Sequence, residues 1–170
     1  MSKRNARSCG KLCVYDREVP VSPYIEWLRG YVGSQLILVP SVSTLVRDGD
    51  GRVLLVYEAD ADGWSTPGGS IDIDEVPEVA ARREVLEETG LVVRTDGILT
   101  VLGGPEFHTR YKNGDEVAYV ATVYRGTVEE GSLQPDGDEV TATKWFTIEE
   151  LRDLPLSNFA HGLFAHLGWL

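Results

Sequence analysis

Residues Gly69 to Leu91 read GSIDIDEVPEVAARREVLEETGL, and the spacing inside this stretch sets the terms for the rest of the chain. Pro77 is suited to a first helical turn, Asp72 and Asp74 serve as a start signal before it, and Gly90 stands where a helix stops. At about 100° per residue, Glu84, Glu87 and Glu88 fall within an arc of about 100°, while Val79 and Leu86 point to the other side. Two carboxylates about 6 Å apart repel by roughly 3 kcal/mol at an effective dielectric near 20. A hard divalent cation reverses that sign, since Mg²⁺ or Mn²⁺ takes oxygen ligands and is usually held by a few carboxylates together with substrate phosphates. Just upstream, Pro67, Gly68, Gly69 and Ser70 form a turn in which a bare glycine backbone lets a carbonyl approach a metal.

The segment resembles the Nudix box, G-x5-E-x7-R-E-U-x-E-E-x-G-U with U apolar, and every fixed position is filled: Gly69, Glu75, Arg83, Glu84, Val85, Glu87, Glu88, Gly90 and Leu91. Nine such matches arise by chance about once in a million sequences at average residue usage. The resemblance implies an α/β fold, the α/β/α sandwich of Nudix domains with a mixed β-sheet, over roughly Leu36 to Asp153. It also implies hydrolysis of a phosphoanhydride with Mg²⁺, Mn²⁺ being a substitute. Glu84, Glu87 and Glu88 would be metal ligands, with the Gly69 carbonyl as a further one. Arg83, whose planar fork suits it to pinning a carboxylate, would orient Glu75.

Related enzymes take the general base from the box or from a later loop. Glu139, after the acidic loop Pro135 to Asp138 and six residues before Trp145, is the first candidate outside the box for base and metal ligand; Glu106, Asp115 and Glu116 are runners-up. His108 and Arg110 are candidate phosphate contacts, with Lys112 and Arg125, and Phe107 and Tyr111 are candidate base-stacking rings. Tyr119 and Trp64 read as packing residues. Some ADP-ribose hydrolases of the family carry a proline about where Pro105 stands, which favours cleavage of a small nucleoside diphosphate derivative; the alternatives are a nucleoside triphosphate pyrophosphohydrolase that cleans the nucleotide pool and a regulator that binds a nucleotide without turning it over.

Composition sets the outer bounds. A chain of 170 residues, 42% hydrophobic and 25% charged, suits one core rather than two domains. Residues 1–20, with Lys3, Arg4, Arg7, Lys11 and Arg17, read as a loosely ordered tail before a single domain at 21–170. No run of eighteen apolar residues suggests a membrane span, and the start lacks the apolar centre of a secretory signal. The net charge of −11 disfavours nucleic acid as a partner, which needs cations to displace counterions, but not a small nucleotide accompanied by metal. Cys9 and Cys13 match no zinc or disulfide pattern, so a reduced, cytoplasmic setting is expected.

Around the box the periodicities alternate. Pro23 to Val32 reads as an amphipathic helix. Leu36 to Val46 and Val53 to Glu58 read as strands joined by the hairpin signal Asp48-Gly49-Asp50-Gly51. Leu91 to Leu102 reads as a strand ended by Gly103-Gly104-Pro105, and Glu106 to Tyr111 with Glu116 to Arg125 as a hairpin around Asn113-Gly114. Val140 to Phe146 reads as the last strand, a helix capped by Thr147 and Glu150 runs to about Asp153, and Phe159, Leu163, Phe164 and Leu167 mark a C-terminal helix. The flanking helices are candidates for a homodimer contact.

Overall fold

The computed structural model describes residues 22–58, 63–111, 113–135, 137 and 140–170. Within these residues the chain runs α1 (Pro23–Val32), β1 (Ile37–Arg47), β2 (Val53–Glu58), β3 (Gly63–Ser65), β4 (Gly68–Ser70), α2 (Pro77–Thr89), β5 (Leu91–Leu102), β6 (His108–Arg110), β7 (Glu116–Gly131), β8 (Val140–Phe146) and α3 (Asn158–His166). Single 3₁₀ turns lie at Pro105–Phe107 and Glu150–Asp153.

β1 and β7 are the spine, parallel and in unbroken register from Ile37 opposite Val117 to Arg47 opposite Thr127. β5 pairs antiparallel with the far side of β7, and β6 continues along that same side. β2 touches β1 in register only where Arg47 meets Val53, then leaves to pair with β8 and β3. β4 takes the vacated edge of β1, with Ser41, Val42 and Ser43 opposite Ser70, Gly69 and Gly68. A Cβ on Gly68 would lie 2.2 Å from the Val42 carbonyl oxygen, so only glycine lets the turn come this close. The split between β1 and β2 thereby delivers the turn at Gly68–Ser70, and α2 behind it, to the middle of the sheet.

Side chains alternate across the sheet. Val42, Thr44 and Val46 face α2, where Ala80, Ala81, Val85, Tyr124, Leu91 and Val93 complete the packing. The opposite face buries Leu45, Leu55, Val123 and Phe146 against Phe107, Leu151, Leu163 and Phe164. α1 lies over the end of that same face through Ile25, Leu28 and Val32. Helices on both faces of a mixed sheet make the expected α/β/α sandwich.

α1, β2, β8 and the stop at Gly90, which is left-handed at φ 72°, fall where the sequence puts them. Thr147 and Glu150 form the reciprocal capping pair, 2.7 and 3.3 Å, but the turn they cap is 3₁₀ rather than α. β7 runs past Arg125 to Gly131 because β5 keeps pairing through three bulges. α2 begins at Pro77 as expected, but Asp72 and Asp74 do not cap it: Val76 is the N-cap and makes no side-chain cap bond, and both aspartates lie before the helix, Asp74 at φ 63°. Nor is the face opposite the acids the buried one. Val79 and Leu86 are exposed, and the helix beds on Ala80, Ala81, Val85, Glu88 and Thr89. Two alanines let α2 lie close to β1, and that rotation puts the acids at the edge of the packed face, over β4.

Candidate active site

Arg83 is the hub of the site. Its Nε and Nη2 donate to the two carboxylate oxygens of Glu75, both at 2.8 Å, and Nη2 also reaches the Ser70 carbonyl at 3.3 Å. Nη1 bridges Glu84 Oε1 at 2.9 Å and Glu87 Oε2 at 3.0 Å. The fork-on-carboxylate geometry is the strongest form of such a pair. Bonding to Arg83, reinforced by the Asp72 amide, holds the Glu75 carboxyl below the ordinary glutamate range against the opposing effect of burial. The Glu75 bond raises the Arg83 pKa further above its already high value, with Glu84 and Glu87 adding to it.

The two remaining box positions sit beside this hub. Glu88 is buried, and its Oε2 accepts from the Gly68 amide at 3.3 Å. A Cβ on Gly69 would stand 2.5 Å from Glu84 Oε1, so the Glu84 carboxylate lies directly on the glycine backbone. Behind the turn, Thr44 donates its amide to the Pro67 carbonyl at 2.8 Å and Ser43 and Thr66 share a buried 2.7 Å hydrogen bond. α2 and β4 thus bring Gly69, Glu75, Arg83, Glu84, Glu87 and Glu88 together.

The donors gathered here are hard oxygens, the kind Mg²⁺ and Mn²⁺ prefer. One positive charge, Arg83 Nη1, already stands between Glu84 and Glu87 as a divalent ion would. Among the described residues no three His, Cys, Asp or Glu side chains are posed as a ready-made cage. The donor set fits the ion, with Arg83 holding the carboxylates in the meantime.

The candidates outside the box fare differently. Glu139 and Lys112 lie outside the described residues. Phe107, expected as a stacking ring, is 5% exposed in the core, edge-on to Phe159 at 5.8 Å and against Gly162. The 3₁₀ turn begun by Pro105 points the ring inward, so it is not open to a base. His108 and Arg110 are exposed on β6, with Arg110 Nε 3.7 Å from Glu116. Five residues along and three strands across from the Gly68–Ser70 turn, they stand roughly 20 Å from the acids by strand geometry. Tyr111 shares a hydrogen bond with the Tyr119 hydroxyl. Burial, with Tyr111 close by and Glu58 adding its negative charge, pushes the Tyr119 pKa well up, and Arg29 partly opposes this. Trp64 packs edge-on between Tyr57 and Phe146, at 5.3 and 4.8 Å.

Two residues near the split in the sheet have no warning in the sequence. Glu58, ending β2, lies within electrostatic reach of Tyr119. Arg29 on α1 binds the carbonyls of Gly33, Gln35 and Glu116 at 3.0, 2.6 and 2.8 Å and stands 3.5 Å from Asp115, tying α1 to the β6–β7 hairpin. Helical spacing foretells α1, but nothing local to Arg29 foretells a partner 86 positions away.

With this geometry in place, the family model of the NUDIX domain matches residues 38–167. The chain belongs to the Nudix hydrolase family. The match extends beyond the expected limit near Asp153 to take in α3, whose Ala160, Leu163 and Phe164 close the core over Phe107 and Phe146. Among curated Nudix-type relatives, a MutT-like protein of Streptomyces ambofaciens is 36% identical over 113 residues, 66% of this chain and 66% of its own length. An RNA pyrophosphohydrolase of Caulobacter vibrioides is 33% identical over 142 residues, 74% of this chain and 80% of its own. Among solved structures, an ADP-ribose pyrophosphatase of Streptococcus suis superposes with a TM-score of 0.56 at 27% identity, over 72% of this chain and 81% of that one. Nudix hydrolases use a divalent metal and act on nucleotide substrates, and no helix among the described residues is long and apolar enough to cross a membrane.

Proposed function

We propose that this Nudix hydrolase cleaves a diphosphate linkage in a small nucleoside diphosphate derivative, of the ADP-ribose or sugar-nucleotide kind, releasing a nucleoside monophosphate and a phosphorylated remainder with Mg²⁺ as the ion. The observation that carries this is the clasp of Arg83 on Glu75, Glu84 and Glu87 above the Gly69 backbone. Glu84, Glu87, Glu88 and the Gly69 carbonyl would hold the ion, which when bound lowers the pKa of attached water and offsets charge on the phosphoryl oxygens.

The protein's own part is positioning. Glu75 keeps Arg83 in place through two bonds, so Arg83 can release Glu84 and Glu87 to the ion without leaving the site. Packing of Glu88 beneath the Gly68 amide fixes a carboxylate oxygen at the head of the turn. Glu139 is assigned as general base on its sequence position, after the acidic stretch Pro135 to Asp138 and six residues before Trp145, where the resemblance to the family puts a later-loop base. The nucleoside end is assigned to the split between β1 and β2, bounded by Glu58 and Tyr119. Residues 21–170 are taken as one catalytic domain working in the cytoplasm, with 1–20 as a tail.

A second reading, a pyrophosphohydrolase acting on a triphosphate end, is favoured by the Caulobacter relative. Incubation with Mg²⁺ and a panel of diphosphate-linked nucleotides, nucleoside triphosphates and 5′-triphosphorylated RNA, followed by chromatography, separates the two. Monophosphate from the first group supports the proposal; pyrophosphate from the others supports the second reading. Binding without product for every compound rules out both. Glu87→Gln and Glu88→Gln should each lower turnover by several orders of magnitude, and near-normal rates in both would remove these residues from the site.

A further inference from the structure

The turn that carries Gly69 is tied to β1 by more than backbone pairing. Ser43 and Thr66 are each 2% exposed, so their hydroxyls must find partners inside the protein. Ser43 Oγ donates to the Pro67 carbonyl at 3.1 Å. A serine hydroxyl has one proton to give, so in the 2.7 Å bond between the two hydroxyls Thr66 is the donor. A one-way chain results, from the Thr66 hydroxyl to the Ser43 hydroxyl to the Pro67 carbonyl, and that same carbonyl accepts the Thr44 amide at 2.8 Å. Ser43, Thr44, Thr66 and Pro67 all lie outside the box.

The Pro67–Gly68 peptide passes this hold on to the carboxylates. The bond is trans, and a trans peptide is a rigid plane whose carbonyl and N–H point to opposite sides. Anchoring the carbonyl in β1 therefore aims the Gly68 N–H toward α2, where it meets Glu88 Oε2 at 3.3 Å. The next residue is Gly69, on whose backbone the Glu84 carboxylate lies. A tilt of this one plane would move the Glu88 partner and the Gly69 carbonyl together. We propose that Ser43, with Thr66 behind it, is a positioning residue for the metal site: its hydroxyl sets the Pro67–Gly68 plane, which in turn places Glu88 and the Gly69 carbonyl for a divalent ion. This role rests on the metal site proposed above, and Ser43 itself touches neither ion nor substrate.

Mn²⁺ is the probe, titrated into the full chain without nucleotide and followed by electron paramagnetic resonance. Loss of a group that orients a metal ligand costs about 10–100-fold in affinity, so Ser43→Ala should raise the Mn²⁺ dissociation constant at least about tenfold, with an unchanged circular dichroism spectrum. If the alanine variant does not fold, Ser43→Cys, close in size and a weaker donor, takes its place. Ser157→Ala controls for general loosening: it removes another buried hydroxyl, 3.2 Å from Ser65 Oγ and 3.1 Å from the Ala160 amide. That variant should melt at a lower temperature and bind Mn²⁺ as the wild type does. Wild-type affinity in the Ser43 variant, or an equal loss in Ser157→Ala, overturns the positioning role and leaves the metal site standing. A wild type that binds no Mn²⁺ overturns both.

Discussion

Replacing Arg83 by alanine removes the group on which the site's acids converge. Two bonds go to Glu75, whose side chain is 13% exposed, and one to Glu84, also 13% exposed. Charge-assisted bonds contribute about 1.5–3 kcal/mol each, but Arg83 is itself 29% exposed, and solvent screening reduces the total. The bond to the 58% exposed Glu87 adds little. A net loss of about 2–3 kcal/mol follows, equivalent to roughly 5–10 °C in melting temperature for a chain this long. The loss depends on pH in a defined direction. Because Arg83 depresses the Glu75 pKa, the contribution is fully present above the ordinary glutamate value of 4.5 and fades as pH falls through the lower folded-state value. Scanning calorimetry of wild type and Arg83→Ala in chelator should therefore show the gap at pH 7 and a smaller gap below pH 4.5. Saturating Mg²⁺ should stabilise the variant more than the wild type, since a cation then replaces the missing guanidinium. Melting temperatures within about 1 °C at pH 7 would refute the clasp as a structural element.

Two further substitutions separate positioning from packing. Gly69→Ala inserts a methyl 2.5 Å from Glu84 Oε1; displacing that carboxylate by about 1 Å should cost about a hundredfold in kcat, with little change in melting temperature, as steady-state kinetics and calorimetry would show. Phe107→Ala should cost about 3–5 kcal/mol of stability while KM stays near the wild-type value; a raised KM with intact stability would return the ring to the substrate.

How much of this was readable beforehand follows the range of the interactions. Hairpin turns, the Pro77 start, the Gly90 stop and the Thr147–Glu150 cap are decided by neighbours a few residues apart, and the sequence places them closely. The clasp between Arg83 and Glu75 spans eight positions, and the fixed spacing of the box carries it. Which arc of α2 is buried depends on how near two alanines let it come to β1, and a helical wheel of α2 alone does not contain that distance. The burial of Phe107 is hidden from the sequence for a related reason: its ring meets Phe159 and Gly162, over fifty positions later, and only the closed core brings α3 against it. The departure of β2 from β1, which opens the site, is driven by pairing with β8 some ninety residues downstream, and the hairpin signal between β1 and β2 gives no hint of it.

The central claim is that the glutamates of α2 gather a divalent ion over Gly69. Crystals grown or soaked in Mn²⁺ with a non-hydrolysable diphosphate analogue, and measured for anomalous scattering, address it directly. The account predicts a peak bound by Glu84, Glu87, Glu88 or the Gly69 carbonyl, with Arg83 still clasping Glu75 but withdrawn from at least one of its other carboxylates. A map with no peak there, and Arg83 still bridging Glu84 and Glu87 in the presence of metal and analogue, would contradict it.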